Sequence, residues 1–305
     1  MVLRHTYATA DDLRDYLAGT SYSSGWTSDA GAIRRILEAC SRRIDDYCGG
    51  GSFGPQTQTR YYDIGFGNLL NSPQYLAVVD SNALANETEA VSVIPLDNWL
   101  VSPTTVTAYG ATDRATSETL TEGHANDFFL MPYNKSPKTV MKLNEDTAKG
   151  FDAGQQTLSI LGSWGYTADT ISVTTSDAIS STTATSISVT SATNLGSAQT
   201  ILIDSEQIYI TSISGNTLTV ERGVNGTTSA THSGGVSLYR YDYPVLIVQA
   251  CLDLSKVTFR DRDLGTVAGI GSGEAAITSA EGEIQSILGT LNEFRAEAIS
   301  NGVIF

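Results

Sequence analysis

A chain of 305 residues and 32.4 kDa, 41% hydrophobic and 17% charged, has the material for one large or two ordinary cores and is not a disordered protein. Eighteen Lys and Arg against 33 Asp and Glu leave a net charge of -15 and a pI near 4.5, which excludes a protein that holds nucleic acid by its phosphates. No run of about 18 apolar residues is present to cross a membrane, and the opening stretch turns polar before an export-signal core can form, so synthesis in a cytoplasm is expected.

Thr9 followed by Asp11 and Asp12 is an N-cap with acids in the first turn, and it predicts a short helix over 9–18 ahead of Gly19. Asp29 opens a second helix over 29–48, in which Ile33, Ile36, Leu37, Cys40, Ile44 and Tyr47 recur at three and four residues before a triple glycine. From 60 to 166 the pattern becomes short apolar or alternating runs between turn residues, including Leu76–Val79, Ala90–Ile94, Thr104–Tyr109, Phe128–Leu130, Thr139–Leu143 and Leu158–Tyr166, which reads as an antiparallel meander.

Composition shifts in the next stretch: residues 170–240 hold 29 Ser or Thr among 71 and only six charges. The pairs Ile187/Val189, Ile201/Ile203, Ile208/Ile210 and Leu218/Val220 alternate too regularly for a linker, and Ser214–Asn216 and Val224–Gly226 supply turns. A small all-β insertion is therefore expected, one that could be excised without unfolding its host. Helix returns after Asp242-Tyr243-Pro244, apolar nearly all round to Phe259, and so should be central. A Gly-rich hinge over 265–273 leads to a last helix over 275–299, where Ile277, Ile284, Leu291 and Ala298 fall seven apart and Ala280, Ile287 and Phe294 take the companion positions. That seam requires a cover.

Chemistry-bearing motifs are scarce. His5, His124 and His232 stand isolated and read as surface or locally bonded groups, and no nucleophile elbow, zinc-protease helix, phosphate loop or calcium loop occurs. Cys40, Cys48 and Cys251 lack metal spacing and read as buried reduced thiols. Asp204 and Glu206 would share one face of a strand, a carboxylate pair from which a glycoside hydrolase could be argued, although nothing selects it over Asp45/Asp46, Glu145/Asp146 or Glu281/Glu283. No catalytic residue, metal ligand or cofactor is expected. The doublets Arg34-Arg35 and Arg42-Arg43 recur at eight residues on the polar face of the second helix, either as partners of nearby acids or as a basic stripe for the acidic face of a neighbouring copy.

Three blocks carry a likeness: Tyr7–Leu17, Ile33–Tyr47, and Thr59-Arg60-Tyr61-Tyr62-Asp63. With the strand ending Gly162-Ser163-Trp164-Gly165-Tyr166 and the helix from Tyr243-Pro244 to Arg262, the chain resembles the head-to-tail adaptor (connector) proteins of long-tailed double-stranded-DNA bacteriophages. The likeness covers about 1–168 and 242–265, and the 169–241 insertion departs from it, resembling Ser/Thr-rich β-modules of phage virion proteins. It implies a non-enzymatic virion protein of the neck, a closed homo-oligomeric ring of about twelve copies between the portal protein and the next tail-side component, with DNA passing through unbound.

The expected fold is α+β: a helical bundle from 9–18, 29–48, 244–262 and 275–299, with the antiparallel β-region and the inserted β-module. Three parts follow: an adaptor core of 1–168 plus 242–265, the insertion 169–241, and a hinge and helical arm over 266–305. Ring contacts are expected at Arg34, Arg35, Arg42 and Arg43, and portal or neighbour contacts at Ile277, Ile284, Ile287, Leu291, Phe294, Val303, Ile304 and Phe305. A carbohydrate-binding or adhesive β-protein is the competing class, with a glycoside hydrolase after it.

Overall fold

The computed structural model describes residues 3–18, 30–64, 93–110, 116–144, 154–267 and 273–295. The chain packs as two units, Met1–Gly54 with Ala168–Phe305, and Pro55–Thr167. The expected strands at Leu76–Val79 and at the start of Ala90–Ile94 lie outside the described residues, as do Val303, Ile304 and Phe305.

The second unit is one antiparallel sheet. Its strands are β1 (Gln56–Ile64), β2 (Val93–Tyr109), β3 (Ser117–Leu120), β4 (Phe128–Met131), β5 (Lys138–Leu143) and β6 (Gly154–Trp164), in the order β1-β6-β2-β5-β4 with β3 also on β2. Alternation puts Tyr62, Leu100, Val106, Leu130, Met141, Leu158, Ile160 and Trp164 into one core. The guanidinium of Arg60 lies 4.8 Å from the Trp164 ring centre and 3.0 Å from Asp97. At Gly162 a Cβ would meet the Ser102 carbonyl oxygen at 2.6 Å, so glycine lets β2 and β6 approach there.

The first unit holds the remaining strands and all four described helices. The helices are α1 (Ala10–Leu17), α2 (Ala30–Tyr47), α3 (Val245–Val267) and α4 (Gly273–Gly289), and α1, α2 and α4 each pack on α3. Ile247, Ala250, Cys251, Leu254, Val257 and Phe259 are buried on α3, which accounts for its apolar circumference, although Val245 at its start is 82% exposed. The Thr9–Asp12 capping box forms as the sequence requires.

The Ser/Thr-rich region forms a second six-stranded antiparallel sheet. Its strands β7 (Thr170–Thr175), β8 (Ser186–Ser188), β9 (Gln199–Ile203), β10 (Glu206–Ser214), β11 (Thr217–Glu221) and β12 (Ser237–Tyr241) run in the order β7-β12-β9-β10-β11-β8. Ser176 pairs with Val189, Thr190 N–H donates to the Thr175 carbonyl and Asp177 N–H to that of Ser188, so the two edge strands are bridged at one end. The alternating Ile, Leu and Val residues fill the interior.

These sheets correct the expected fold class. The chain is mostly β, two antiparallel sheets of six strands with 25% helix, rather than an α+β protein built on a helical bundle. The region taken as a minor insertion supplies as many strands as the region taken as the host, and the periodic run at the C-terminal end makes less helix than its spacing suggests. Helix α4 stops at Gly289; Thr290 Oγ1 donates to the Ile287 carbonyl, and a 3-10 turn over Asn292–Phe294 follows. The seven-residue period persists in the sequence across a break in the helix, so its positions no longer share one face.

Candidate functional site

Residues 3–10 run between the β-module and the helices of the first unit, and nearly every polar group of the segment is used. Arg4 N–H donates to Asn225 Oδ1 at 2.7 Å, and its guanidinium reaches Glu221 at 2.9 Å and Glu38 at 3.3 Å. Thr6 Oγ1 donates to the Ala198 carbonyl, Thr200 Oγ1 to the Arg4 carbonyl, and Ala10 N–H to the Ser197 carbonyl. On the helical side Arg42 donates to the His5 carbonyl at 2.6 Å and Tyr7 N–H to Ser41 Oγ at 3.2 Å. The Tyr7 hydroxyl donates to Asp45 and accepts from Phe53 N–H. Burial pushes the Asp45 carboxyl up to about 7, against the pull of Arg42 and the Tyr7 hydrogen bond.

A second buried network lies in the β-module. Glu206, fully buried, takes both prongs of Arg222 at 2.7 Å, the Gly223 and Ala230 N–H groups at 3.0 and 2.9 Å, and His232 Nε2 at 2.9 Å. Burial alone would raise its pKa; Arg222, the Ala230 amide and His232 overcome that and lower it to about 2. Asp204 is in the β9–β10 turn with φ of 53°, not on a strand face, and its carboxylate lies 2.7 Å from His232 Nδ1. Both imidazole nitrogens are thus occupied by carboxylates, leaving neither to take a proton from a hydroxyl. A carboxyl held near 2 with no exposure is equally unsuited to protonate a leaving group, so the Asp204/Glu206 pair is a brace and not a glycosidase pair. His5 and His232 are buried in hydrogen-bond networks, not surface groups.

The basic stripe divides. Arg34 lies 4.0 Å from Glu38, and Arg42 is committed to Asp45 and to the Leu3 and His5 carbonyls. Arg35 and Arg43 are exposed with Ala39 between them, and neither has an ion pair or hydrogen bond among the described residues. Of the seam residues, Leu291 and Phe294 are buried in the first unit's own core, Phe294 edge-on to Phe53 with ring centres 5.4 Å apart. Ile284 and Ile287 are half-buried, and Ile277 lies in α4 with its side chain outside what the structure describes. Cys40, Cys48 and Cys251 are buried and unpaired, and burial pushes Cys48 and Cys251 up to about 12. Among the described residues no group of three or more His, Cys, Asp or Glu side chains could hold a metal ion, and no helix is long and apolar enough to cross a membrane.

A cleft of about 430 Å³ opens where α1, β9, β12 and the start of α3 meet. Asp12, Asp15, Arg240 and Asp242 line it together with Tyr16 and Tyr241. Asp12 is held by Thr9, and Asp15 by Arg14 at 3.4 Å, whereas the Asp242 carboxylate and the Arg240 guanidinium have no partner among the described residues. Tyr241 is 7% exposed, and its hydroxyl makes no hydrogen bond among the described residues. No local pattern announces this cleft, since its walls come from segments more than 180 residues apart. The Glu206–Arg222 pair did leave a signal: a region with only six charges has few reasons to hold two of them away from water. Comparison with protein-family models, with curated proteins and with solved structures finds no match to this chain.

Proposed function

We propose that the chain is a structural protein of the phage neck, forming a homo-oligomeric ring between the portal protein and the next tail-side component, through which DNA passes without being held. The observation that supports this reading is the convergence of the three blocks with adaptor likeness that fall in the first unit. Tyr7 meets Ser41 and Asp45, Ser41 meets Cys251 at 3.5 Å, and the Tyr16 hydroxyl donates to Asp253, so 7–17, 33–47 and the helix after Tyr243 behave as one packed element. Buried ionisable groups such as Glu206 and Arg222 brace the fold in dense hydrogen-bond networks, which suits a load-carrying part better than a catalyst. An excess of 15 negative charges suits a wall that duplex DNA must slide past. Arg35 and Arg43 are the ring contacts in this reading, and Ile284, Ile287 and the 303–305 tail the portal or neighbour contacts.

The mass and rotational symmetry of the purified assembly test it. A closed ring of about twelve copies that attaches to portal-bearing heads is expected. A protein that stays monomeric, or one that instead retains glycans on an array, overturns the reading in favour of a surface-binding β-protein.

A further inference from the structure

The cleft beside α1 and the outward arginines of α2 are unsatisfied in opposite senses. Asp242 is exposed and unpaired among the described residues, Asp15 has only a long contact to its neighbour Arg14, and the Tyr241 hydroxyl, in a residue 7% exposed, is left without a partner at the cleft wall. The ring of Tyr241 is buried while its hydroxyl keeps access to the cleft, so the oxygen is open to a donor from outside. Arg240 alone stands against Asp12, Asp15 and Asp242, so the cleft keeps a negative excess. Arg35 and Arg43 stand about 12 Å apart along the helix axis, eight residues at 1.5 Å each, and the small Ala39 between them lets another surface come close.

We propose that Arg35 and Arg43 of one copy seat in the Asp15/Asp242 cleft of the next, with one guanidinium donating to the Tyr241 hydroxyl. The inference rests on the ring reading above and names the contact that closes it. The stripe and the cleft are different patches, so the contact is heterologous, and repeated head to tail it generates a ring where its rotation closes and an open filament where it does not. Guanidinium suits the site because its several donors can serve two carboxylates and a phenol oxygen at once. Being ionic and near the surface, the contact should loosen with salt.

A charge exchange tests it. R35E/R43E alone presents glutamates to the cleft, and D15R/D242R alone presents arginines to the stripe; each should sediment as a single chain where the wild type assembles. An equimolar mixture restores both contacts in alternation and should recover the wild-type mass. Circular dichroism and melting temperature confirm that each variant folds, and if either does not, R35Q/R43Q and D15N/D242N replace them, with at least a tenfold rise in the concentration needed for assembly expected. If the wild type assembles and either exchanged variant assembles alike, or the folded mixture stays dissociated, this contact is wrong while the ring stands. A wild type that never assembles removes both.

Discussion

Asn225 and His5, 220 residues apart, meet at 3.0 Å between the side-chain amide and ring Nε2. The amide donates, so Nε2 accepts, and Nδ1–H is free to donate to the Tyr243 hydroxyl at 2.9 Å. Asn225 also donates to Gln207 at 2.8 Å and accepts from Arg4 N–H at 2.7 Å, all in a place where it is 1% exposed. Asn225→Ala would strand three partners at once, at about 1–3 kcal/mol for each buried group left unsatisfied. A fall in the urea midpoint equivalent to about 3 kcal/mol or more is expected. A fall of under about 1 kcal/mol would show that water replaces the amide.

Excision of 170–240 behind a short Gly/Ser link should give insoluble protein, contrary to what the sequence suggests for an insertion. The cut removes the groups that hold Arg4, His5, Thr6 and Ala10, and it uncovers Thr9, under which Gly196 fits so closely that a Cβ there would lie 2.5 Å from Thr9 Cβ. Soluble yield and circular dichroism of the excised chain decide the matter.

Asp45 gives the fold a pH dependence of definite sign. Its folded value is about 7 against an ordinary 3.8, so its contribution is complete below 3.8 and is lost as pH rises through about 7. Across that window unfolding releases a proton, with a slope approaching 1.4 kcal/mol per pH unit. Urea titrations at pH 4.5 and pH 7.5 should show the wild type more stable at the lower value relative to Asp45→Asn, which lacks the titrating group. Parallel curves for the two proteins would show that Arg42 keeps Asp45 ionised throughout.

Glu206 acts in the opposite direction. With a folded value near 2 against 4.5, its contribution is present above 4.5 and lost only as pH falls through about 2, so the β-module should resist mild acid. Glu206→Gln leaves Arg222, whose side chain is 5% exposed, charged and without its carboxylate, a change of about 3–5 kcal/mol. Limited proteolysis should then cut within 222–232 while the wild type stays intact.

Phe294 packs edge-on against Phe53 in the first unit, and close by in sequence Asn292 accepts a hydrogen bond from the Tyr47 hydroxyl at 2.7 Å. Phe294→Ala should reduce stability by about 3–5 kcal/mol as a buried aromatic does. Retention of the wild-type melting temperature would mean that this turn leaves the core in solution.

Local signals were readable along the chain, and distant pairings were not. Thr9 and Asp12 form their capping box within one turn, and Ile201, Ile203, Ile208 and Ile210 alternate into a core, because in each case the deciding neighbours are close in sequence. Gly289 was visible too, yet a seven-residue count passes over a break that conserves spacing while ending the helix. The partners of Arg4 and His5 follow from how whole elements pack, as do the bridging of β7 to β8 and the walls of the cleft, and no short pattern encodes them. Weighing the Ser/Thr-rich region as an appendage misjudged the balance of sheet to helix for the same reason.

The threading of residues 3–10 also sets an order of events during synthesis. His5 leaves the ribosome early, but its partner Asn225 is 220 residues behind, on the order of 10–40 s at 5–20 residues per second. Until then α1 and α2 lack the surface that pins their leading segment, and the first unit cannot complete its core. A chain interrupted before Asn225 would therefore leave the His5 ring and the Arg4 amide without this partner, and its leading segment would stay open to proteases.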